Sequence, residues 1–322
     1  MGKGSFSRWI TLPMALVFLG FALFPAVPFF GKYLSLATEV VIWSLFALGF
    51  NILLGYTGLP SFGHGAFFGI GAYAAAIYFL RVSQGVWGPL VFAVLVAGVF
   101  AALIGALVAK KRGIYFALIT IAISQVFYFV AFRWDEFTGG ETGLSGVDRV
   151  NASLGLFSIP IAKPLHYYYF VLVVFALATL LIWRIVHSPF GRVLQAIREN
   201  EVRATFLGYP TAWYKWGAFT ISGLFSGLAG GLYTLLINAA FANVLDWTQS
   251  GNVVMMTLLG GGTVNFFGPI LGSAIFIVSR DLLSAYWESW MLLYGMIFVL
   301  VILFIPSGIL GLIGGKKQTV LR

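Results

Sequence analysis

Few side chains in this sequence have the type and spacing that catalysis requires. Its 322 residues include no cysteine, which excludes disulfides, thiolate metal sites and cysteine nucleophiles. The histidines at positions 64, 166 and 187 lack metal-ligand spacing, and no Ser/His/Asp set accompanies them. The basic tail GGKKQT (314–319) lacks the upstream glycine of a P-loop. The sequence therefore predicts no enzyme, no bound metal and no ATP site in this chain.

The densest group of charges lies in the segment 188–210, SPFGRVLQAIRENEVRATFLGYP, which we call the island. Ser188 is suited to an N-cap and Pro189 to the first helical turn, while Gly208 and Pro210 supply a helix stop. Helical spacing of the apolar residues between them predicts one amphipathic helix. The apolar set is Phe190, Val193, Leu194, Ile197, Ala204 and Leu207, and the opposite set is Arg192, Gln195, Arg198, Glu199 and Asn200.

The polar face of the island mixes signs of charge. Glu199 and Glu201 lie close to Arg198 and Arg203, and Glu199 and Arg203 have the i,i+4 spacing of a favourable ion pair. A helix that only rests among lipid headgroups is typically basic. The mixed face therefore favours docking into a groove of a protein partner, with interfacial lipid binding as the alternative.

The remainder of the chain is apolar enough to lie in a membrane. Hydrophobic residues make up 60% of the sequence and charged residues 9%, whereas soluble domains carry about 25% charged residues. Since one crossing needs roughly 20 apolar residues, we predict an all-α polytopic bundle of about 8–10 spans that forms a single domain over 1–322. The predicted spans are 9–29, 34–54, 63–80, 88–109, 113–132, 166–186, 216–237 and 290–312.

The first predicted span could instead be a cleavable signal peptide. Its apolar run, from Trp9 to about Phe30, is longer than the usual signal h-region, which favours a retained span.

Lysine and arginine sort the connecting loops into a richer and a poorer set, and the richer set marks the cytoplasmic side. Both termini and a loop over 187–213 fall on that side. The loop 133–165 falls on the extracytoplasmic side, either as a solvated connector or as a docking or gating surface. The net charge of +9 follows this pattern, so nucleic acid is not an expected partner. The richer set is Lys3, Arg8, Lys110, Lys111, Arg112, Arg184, Arg192, Arg198, Arg203, Lys215, Lys316, Lys317 and Arg322, and the poorer set is Lys32, Arg81, Arg133, Arg149, Lys163 and Arg280.

Glycine and proline interrupt two apolar stretches, 55–76 and 258–276. Unpaired backbone groups in lipid cost several kcal/mol each, so such breaks occur where protein buries them or a water-filled cavity meets them. Paired breaks point to a translocation path, with tight small-residue packing as the alternative. Loop parity also requires 252–279 to enter and leave the same side, as a re-entrant hairpin or two short helices. The candidate path residues are Gly58, Pro60, Ser61, Gly63, His64, Gly261, Gly262, Thr263, Gly268 and Pro269.

Charge is nearly absent from the predicted span interiors. Glu39 is the main exception, and it lies only a turn or so from the outer end of its span. Ion-coupled carriers need intramembrane charge, so the energy for any transport is expected from another subunit. A self-sufficient channel or secondary carrier and a non-transporting scaffold are the alternatives.

With these segments in view, the chain resembles the inner-membrane permease subunits of ATP-binding-cassette importers for branched-chain amino acids. The resemblance is distributed along most of the chain. Its segments are NILLGYTGLPSFGHGAFFGIGAYAAA (51–76), FTGGETGLSGV (137–147), GRVLQAIRENEVRATFLGYPTAWYKWGAFTISGLFSGLAGGLY (191–233) and LLGGGTVNFFGPILGSAIF (258–276).

The resemblance implies a multi-pass protein of the bacterial inner membrane that binds no cofactor itself. It implies a second homologous permease, two cytoplasmic ATPase subunits that hold ATP and Mg²⁺, a periplasmic binding protein and surrounding lipid. It also implies that the loop 187–213 couples to the ATPase. Related permeases carry urea, short amides or simple sugars, so the cargo stays open. The implied coupling residues are Arg192, Arg198, Glu199, Asn200, Glu201, Arg203 and Gly208, with Arg203 departing from the small apolar residue common there.

Overall fold

The computed structural model describes residues 16–26, 31, 33–149, 152–154, 157–262, 265–286, 289–304 and 308–313. Within this part of the chain, six helices are long and apolar enough to cross a membrane. They are Leu34–Thr57, Trp87–Val108, Gly113–Arg133, Pro164–Val186, Thr211–Ile237 and Gly268–Tyr286. The prediction of an all-α polytopic bundle is therefore confirmed.

The helices are numbered in chain order. Helix α1 covers 16–23 and is followed by a 3₁₀ turn at Phe24–Ala26; α2 is Leu34–Asn51 and continues as a π-helix, Ile52–Thr57. The others are α3 (His64–Arg81), α4 (Trp87–Val108), α5 (Gly113–Arg133), α6 (Asp135–Thr138), α7 (Pro164–Val186), α8 (Pro189–Phe206), α9 (Thr211–Ile237), α10 (Trp247–Gly260), α11 (Gly268–Tyr286), α12 (Trp290–Phe304) and α13 (Gly308–Ile313).

The six helices are fewer than the predicted 8–10 spans, because some predicted spans are shorter or less apolar than a crossing requires. The predicted span 63–80 forms α3, whose 18 residues include histidine, tyrosine and glycine as well as Arg81. The predicted span 290–312 forms α12, which has 15 residues, and the separate α13. The start of the predicted span 9–29 lies outside the described residues, as do Lys3, Arg8, Lys32, Lys316, Lys317 and Arg322.

Helix α9 lies at the centre of the bundle and packs against α2, α3 and α4. Small residues permit this close approach. A Cβ atom at Gly227 would lie 3.0 Å from the Ala93 carbonyl oxygen, and Gly71 of α3 faces the Gly227 backbone directly. Without a hydrophobic driving force between helices in lipid, such backbone proximity is a main source of helix association.

The stretch 252–279 forms two helices, one of the two predicted alternatives. Helix α10 has 14 residues and spans about 21 Å at 1.5 Å per residue, which is short of a hydrocarbon core of about 30 Å. Helix α11 is longer, at 19 residues. Helix α10 alone is therefore too short to cross the hydrocarbon core, whereas α11 is among the six helices long and apolar enough to do so.

The loop 133–165 carries short strands as well as turns. Strand β1 (Leu144–Ser145) pairs antiparallel with β4 (Ala239–Ala240), which follows α9. Strands β2 (Ala152–Leu154) and β3 (Phe157–Ile159) pair antiparallel with each other. The β1–β4 pairing ties this loop to the segment that leads from α9 into α10.

The island begins as predicted but is not one continuous helix. The Ser188 hydroxyl accepts a hydrogen bond from the Gly191 amide at 3.5 Å, and Gly208 has φ +87°, so the N-cap and the stop are confirmed. At Asn200, however, φ is −161° and ψ is 99°, which breaks α8 into two segments. The Asn200 Oδ1 atom accepts from the Arg203 amide at 2.8 Å. An asparagine side chain that competes for backbone N–H groups explains the break.

The kink corrects two details of the predicted island. Because the helix is interrupted between them, the i,i+4 geometry expected for Glu199 and Arg203 does not apply. Leu207, predicted on the packed face, is 71% exposed because it follows the end of the second segment.

Candidate functional site

Helix α8 packs on the bundle through its apolar face. Val193, Ile197 and Ala204 form a small buried cluster against Tyr214 of α9, and the rings of Phe190 and Tyr214 stack at 5.5 Å. The predicted amphipathic pattern is thus satisfied by protein contacts. The island is held against the start of α9 on one end of the molecule, which we call the α8 face.

Glu201 holds the second segment of α8 through two ion pairs. Its Oε1 atom lies 2.8 Å from Lys215 Nζ, and its Oε2 atom lies 2.9 Å from Arg112 Nε. Lys215 is 2% exposed and also donates to the Lys111 carbonyl oxygen at 3.2 Å. A buried ammonium group requires such pairing. Glu201 therefore fastens α8 to the start of α9 and to the connection between α4 and α5.

Arg198 joins α8 to the first glycine break. Its guanidinium group donates a hydrogen bond to the Gly55 carbonyl oxygen, near the C-terminal end of the π-helix. Basic groups are favoured at helix C-termini, where carbonyl groups lack intrahelical partners. Burial lowers the pKa of Arg198 and the neighbouring Glu199 charge raises it; an arginine stays protonated under such shifts. Arg198 thus contacts the span directly from α8.

Gly58 ends the first broken helix in a left-handed conformation. Its φ is +75°, and its amide donates to the carbonyl oxygens of Leu53 and Leu54. A Cβ atom there would lie 2.9 Å from Arg198 Cγ. Both the backbone conformation and the proximity of Arg198 therefore require glycine.

His64, after this break, is a hydrogen-bonded buried group. Its Nδ1 atom lies 2.8 Å from Ser61 Oγ, and its Nε2 atom lies 2.9 Å from Ser222 Oγ of α9. It is 0% exposed. Gly63 is buried against the Thr120 backbone and Pro60 is half-buried. The Nε2 atom of His64 therefore joins the start of α3 to α9, and its Nδ1 atom joins α3 to the segment that precedes it.

The second break also ends in a left-handed glycine, Gly261, with φ +84°. Gly262, Gly268 and Pro269 are buried beside it, and a Cβ atom at Gly262 would lie 3.0 Å from Pro269 Cγ. The surroundings of these residues are protein atoms, largely backbone. Thr263 lies outside the described residues. The path-lining role of these residues stays a prediction.

Asn51 connects the two breaks, and sequence reasoning missed it. Its Nδ2 atom donates to the Gly262 carbonyl oxygen at 3.0 Å across 211 positions of sequence. A Cβ atom at Gly55 would lie 2.9 Å from the same Gly262 oxygen. The sequence offered one signal for it, an amide side chain within a long apolar run. In the structure Asn51 is 1% exposed. A continuous set of contacts therefore runs from Arg198 through Gly55 and Asn51 to Gly262.

The second segment of α8 presents an apolar surface outward. Val202 is 51% exposed, Phe206 87% and Leu207 71%, and we call these three residues the α8 patch. Trp213, at the start of α9, is 68% exposed close by in sequence. Contiguous exposed apolar surface rimmed by charge marks interaction sites. This patch was not predicted from the sequence, because the spacing of the apolar residues was interpreted as one continuous helix.

Comparison with known proteins defines the class to which this bundle belongs. Residues 32–305 match the family described as the permease component of the branched-chain amino acid transport system. The match covers the bundle from α2 through α12, including both breaks and α8. The chain therefore belongs to this permease family.

Similar proteins carry the same description. The high-affinity branched-chain amino acid transport system permease protein LivM of Escherichia coli is 30% identical over 295 residues, which cover 86% of this chain and 69% of LivM. The probable LivM of Methanocaldococcus jannaschii is 27% identical over 333 residues, covering 86% and 94%. The probable LivH of that organism is 25% identical, covering 86% and 91%. No solved structure matches the chain.

Proposed function

We propose that this chain is the membrane subunit of an ATP-driven importer that moves branched-chain or related small amino acids into the cell. The observation that carries the proposal is α8, a polar segment that is packed on the bundle of a permease-family chain and fastened to its broken spans. The transport described in the names of its relatives supplies the cargo class.

The proposal assigns the α8 face to the cytoplasm. Arg112, Lys215 and the charges of α8 lie together on this face, as the positive-inside rule requires of cytoplasmic loops. It places the chain in the bacterial inner membrane with both termini in the cytoplasm, the loop 187–213 as the coupling loop and the loop 133–165 outside. Two ATPase subunits, a second homologous permease and a periplasmic binding protein complete the importer.

In this scheme the ATPase grips the outward residues of α8, and the residues that contact the bundle transmit its motion. The α8 patch, with Glu199 and Arg203, faces away from the bundle. Arg198 and Glu201 instead hold α8 to the bundle. A displacement of α8 would then act on the first break through Arg198 and on the second through Asn51. No ATP or Mg²⁺ is required on this chain, because both belong to the ATPase subunits.

The test is uptake of radiolabelled leucine by cells that express this chain with the ATPase subunits, second permease and binding protein of the proposed importer, in a strain lacking its own leucine importers. We expect ATP-dependent uptake that disappears when either the ATPase genes or this chain are omitted. Leucine flux through liposomes that contain this chain alone would instead establish a self-sufficient channel or carrier.

The patch gives a sharper test of ATPase docking. We expect Phe206→Asp to abolish co-purification of the ATPase, because it places a charge at the most exposed apolar residue of the α8 patch. The matched control is Tyr286→Asp, since Tyr286 is 89% exposed and lies at the end of α11 remote from the α8 face. Equal ATPase recovery with both variants would contradict docking through the patch.

A further inference from the structure

Asp246 is a partly exposed carboxylate that packs beside α5, although the sequence predicted nearly charge-free span interiors with Glu39 as the main exception. It precedes α10 and accepts a hydrogen bond from Gln125 Nε2 of α5 at 3.0 Å. The neighbouring Leu245 carbonyl oxygen accepts from Ser124 Oγ at 2.8 Å. Gln125 is twelve residues from Gly113 and eight from Arg133, or about 18 Å and 12 Å along α5 at 1.5 Å per residue. The carboxylate therefore lies beside the middle part of α5, a helix long and apolar enough to cross a membrane.

The surface around Asp246 is open and carries several polar groups beside the exposed Trp247 ring. Asn243 and Thr248 are exposed, while Asp246, Gln249 and Asn252 are partly exposed. Within a membrane, polar groups turned toward lipid are costly and such groups are found facing water-filled cavities or other protein. The polar side of α10 is therefore expected to face a water-filled cavity or another protein within the assembled membrane complex.

The Asp246 carboxylate lacks a cationic partner in the described part of the chain. Its Oδ1 atom accepts from the Thr248 amide at 2.8 Å and its Oδ2 atom accepts from Gln125, both neutral donors. These donors stabilise the ionised form. The ion pairs found among the described residues involve Glu39 with Arg280, at 2.8 Å, and Glu201. Glu39, the main charged residue of the predicted span interiors, is thus paired internally, and Asp246 is not.

We propose that Asp246 binds the α-ammonium group of the amino acid as it passes through the membrane, with the exposed amide and hydroxyl groups of Asn243 and Thr248 beside it. This inference rests on the proposed transport function and narrows its cargo. The N-terminus of α10 is already capped by the same carboxylate, so the site recognises a cation rather than an anion. Urea, amides and sugars lack the ammonium group, and the site disfavours them for that reason.

The experiment uses the assembled permease–ATPase complex in nanodiscs, without the binding protein, so that only the membrane site selects. We expect labelled leucine to bind the wild-type complex and leucinol, which keeps the ammonium group, to compete. We expect 4-methylpentanoate, which is leucine without that group, not to compete. Competition by 4-methylpentanoate equal to that of leucinol would overturn the proposal.

Asp246→Asn isolates the charge, because asparagine is as good an N-cap as aspartate. We expect this substitution to raise the KM for leucine uptake at least about tenfold, which corresponds to a tenfold loss of affinity. Asp246→Glu should restore part of the lost affinity. The matched control, Asp281→Asn, removes an exposed carboxylate from α11 and should leave the KM unchanged.

The outcomes separate this inference from the proposed function. If the wild-type importer transports leucine and Asp246→Asn has the wild-type KM, the ammonium site is refuted while the transport function stands. Equal loss with Asp246→Asn and Asp246→Glu would also refute it, since position rather than charge would then matter. Absence of leucine uptake by the wild-type importer would refute the proposed function itself.

Discussion

The two glycine breaks share one backbone solution and differ in what surrounds it. At both, a left-handed glycine ends a helix: Gly58 with φ +75° and Gly261 with φ +84°. In each, the glycine amide donates back to two carbonyl oxygens of the last turn. The neighbour of Gly58 is the Arg198 side chain of α8, whereas the neighbours of the second break are the closely packed glycines of α11.

The two breaks therefore have different roles, although the sequence encodes both as a glycine-rich interruption of an apolar run. A break that faces a long side chain from α8 can respond when α8 moves, since that side chain can shift. A break enclosed by backbone cannot move without disturbing the approach of α10 to α11, because close-packed interiors resist small changes in volume. We therefore infer that the first break responds directly to α8, and that the second, a closely packed unit, receives the motion only through Asn51.

The largest expected effect is on the second break. A Cβ atom at Gly272 of α11 would overlap the Met256 carbonyl oxygen and lie 2.8 Å from the Gly260 amide nitrogen. Since both are backbone atoms, Gly272→Ala should destabilise the protein by about 2–3 kcal/mol, and its melting temperature should fall by about 5 °C or more. The measurement is thermal unfolding of the detergent-solubilised protein.

Helix α10 offers the matched control. No heavy atom lies within 4 Å of a Cβ atom placed at Gly251, so Gly251→Ala should leave the melting temperature unchanged or slightly higher, given the better helix propensity of alanine. A Gly272→Ala variant as stable as Gly251→Ala would remove the distinction between the two breaks.

Sequence patterns predicted the helices better than the contacts between them. The boundaries of α2, α4, α5 and α7 and the caps of α8 follow from local apolar runs and local turn chemistry. The kink at Asn200 could not be predicted from the sequence, because an amide side chain that competes with the backbone leaves the helical spacing of the apolar residues unchanged. Asn51 and Asp246 gain their significance from partners more than a hundred positions away. Such partners are set by tertiary packing, which a single sequence does not display.

An intermediate effect is expected at the first break. Arg198→Ala removes the hydrogen bond to Gly55 and the contact with Gly58. We expect leucine uptake to fall about tenfold, corresponding to about 1.4 kcal/mol of lost coupling, with the ATPase still bound. Uptake and ATPase co-purification are measured on the same membranes.

The control for this variant is Arg133→Ala. Arg133 is exposed and lies at the C-terminal end of α5, away from the α8 face. This control substitution should leave uptake and ATPase recovery at wild-type levels. Loss of the ATPase from the Arg198→Ala complex would show that Arg198 acts in docking, and the contrast between a break that responds directly to α8 and a closely packed break would then lose its support.

The smallest effect on stability is expected where the two breaks meet. Asn51→Leu keeps the side-chain size but removes the donor to the Gly262 carbonyl oxygen. An unpaired buried carbonyl costs about 1–3 kcal/mol, but Asn51 Oδ1 has no hydrogen-bond partner among the described residues, so its removal offsets part of this cost. Stability should therefore change by about 1 kcal/mol or less, while uptake falls because the first break no longer acts on the second.

Ser44→Ala is the control on the same helix. Ser44 is also fully buried, its hydroxyl group has no hydrogen-bond partner among the described residues, and it precedes Asn51 by seven residues, or about two helical turns. Both variants thus remove a buried polar atom from α2, and only Asn51→Leu removes the connection. If uptake responds equally to the two, the loss reflects burial of polar groups in α2. If only Asn51→Leu lowers uptake at unchanged melting temperature, the connection between the breaks transmits the motion of α8, because stability and transport have then been separated at a single hydrogen bond.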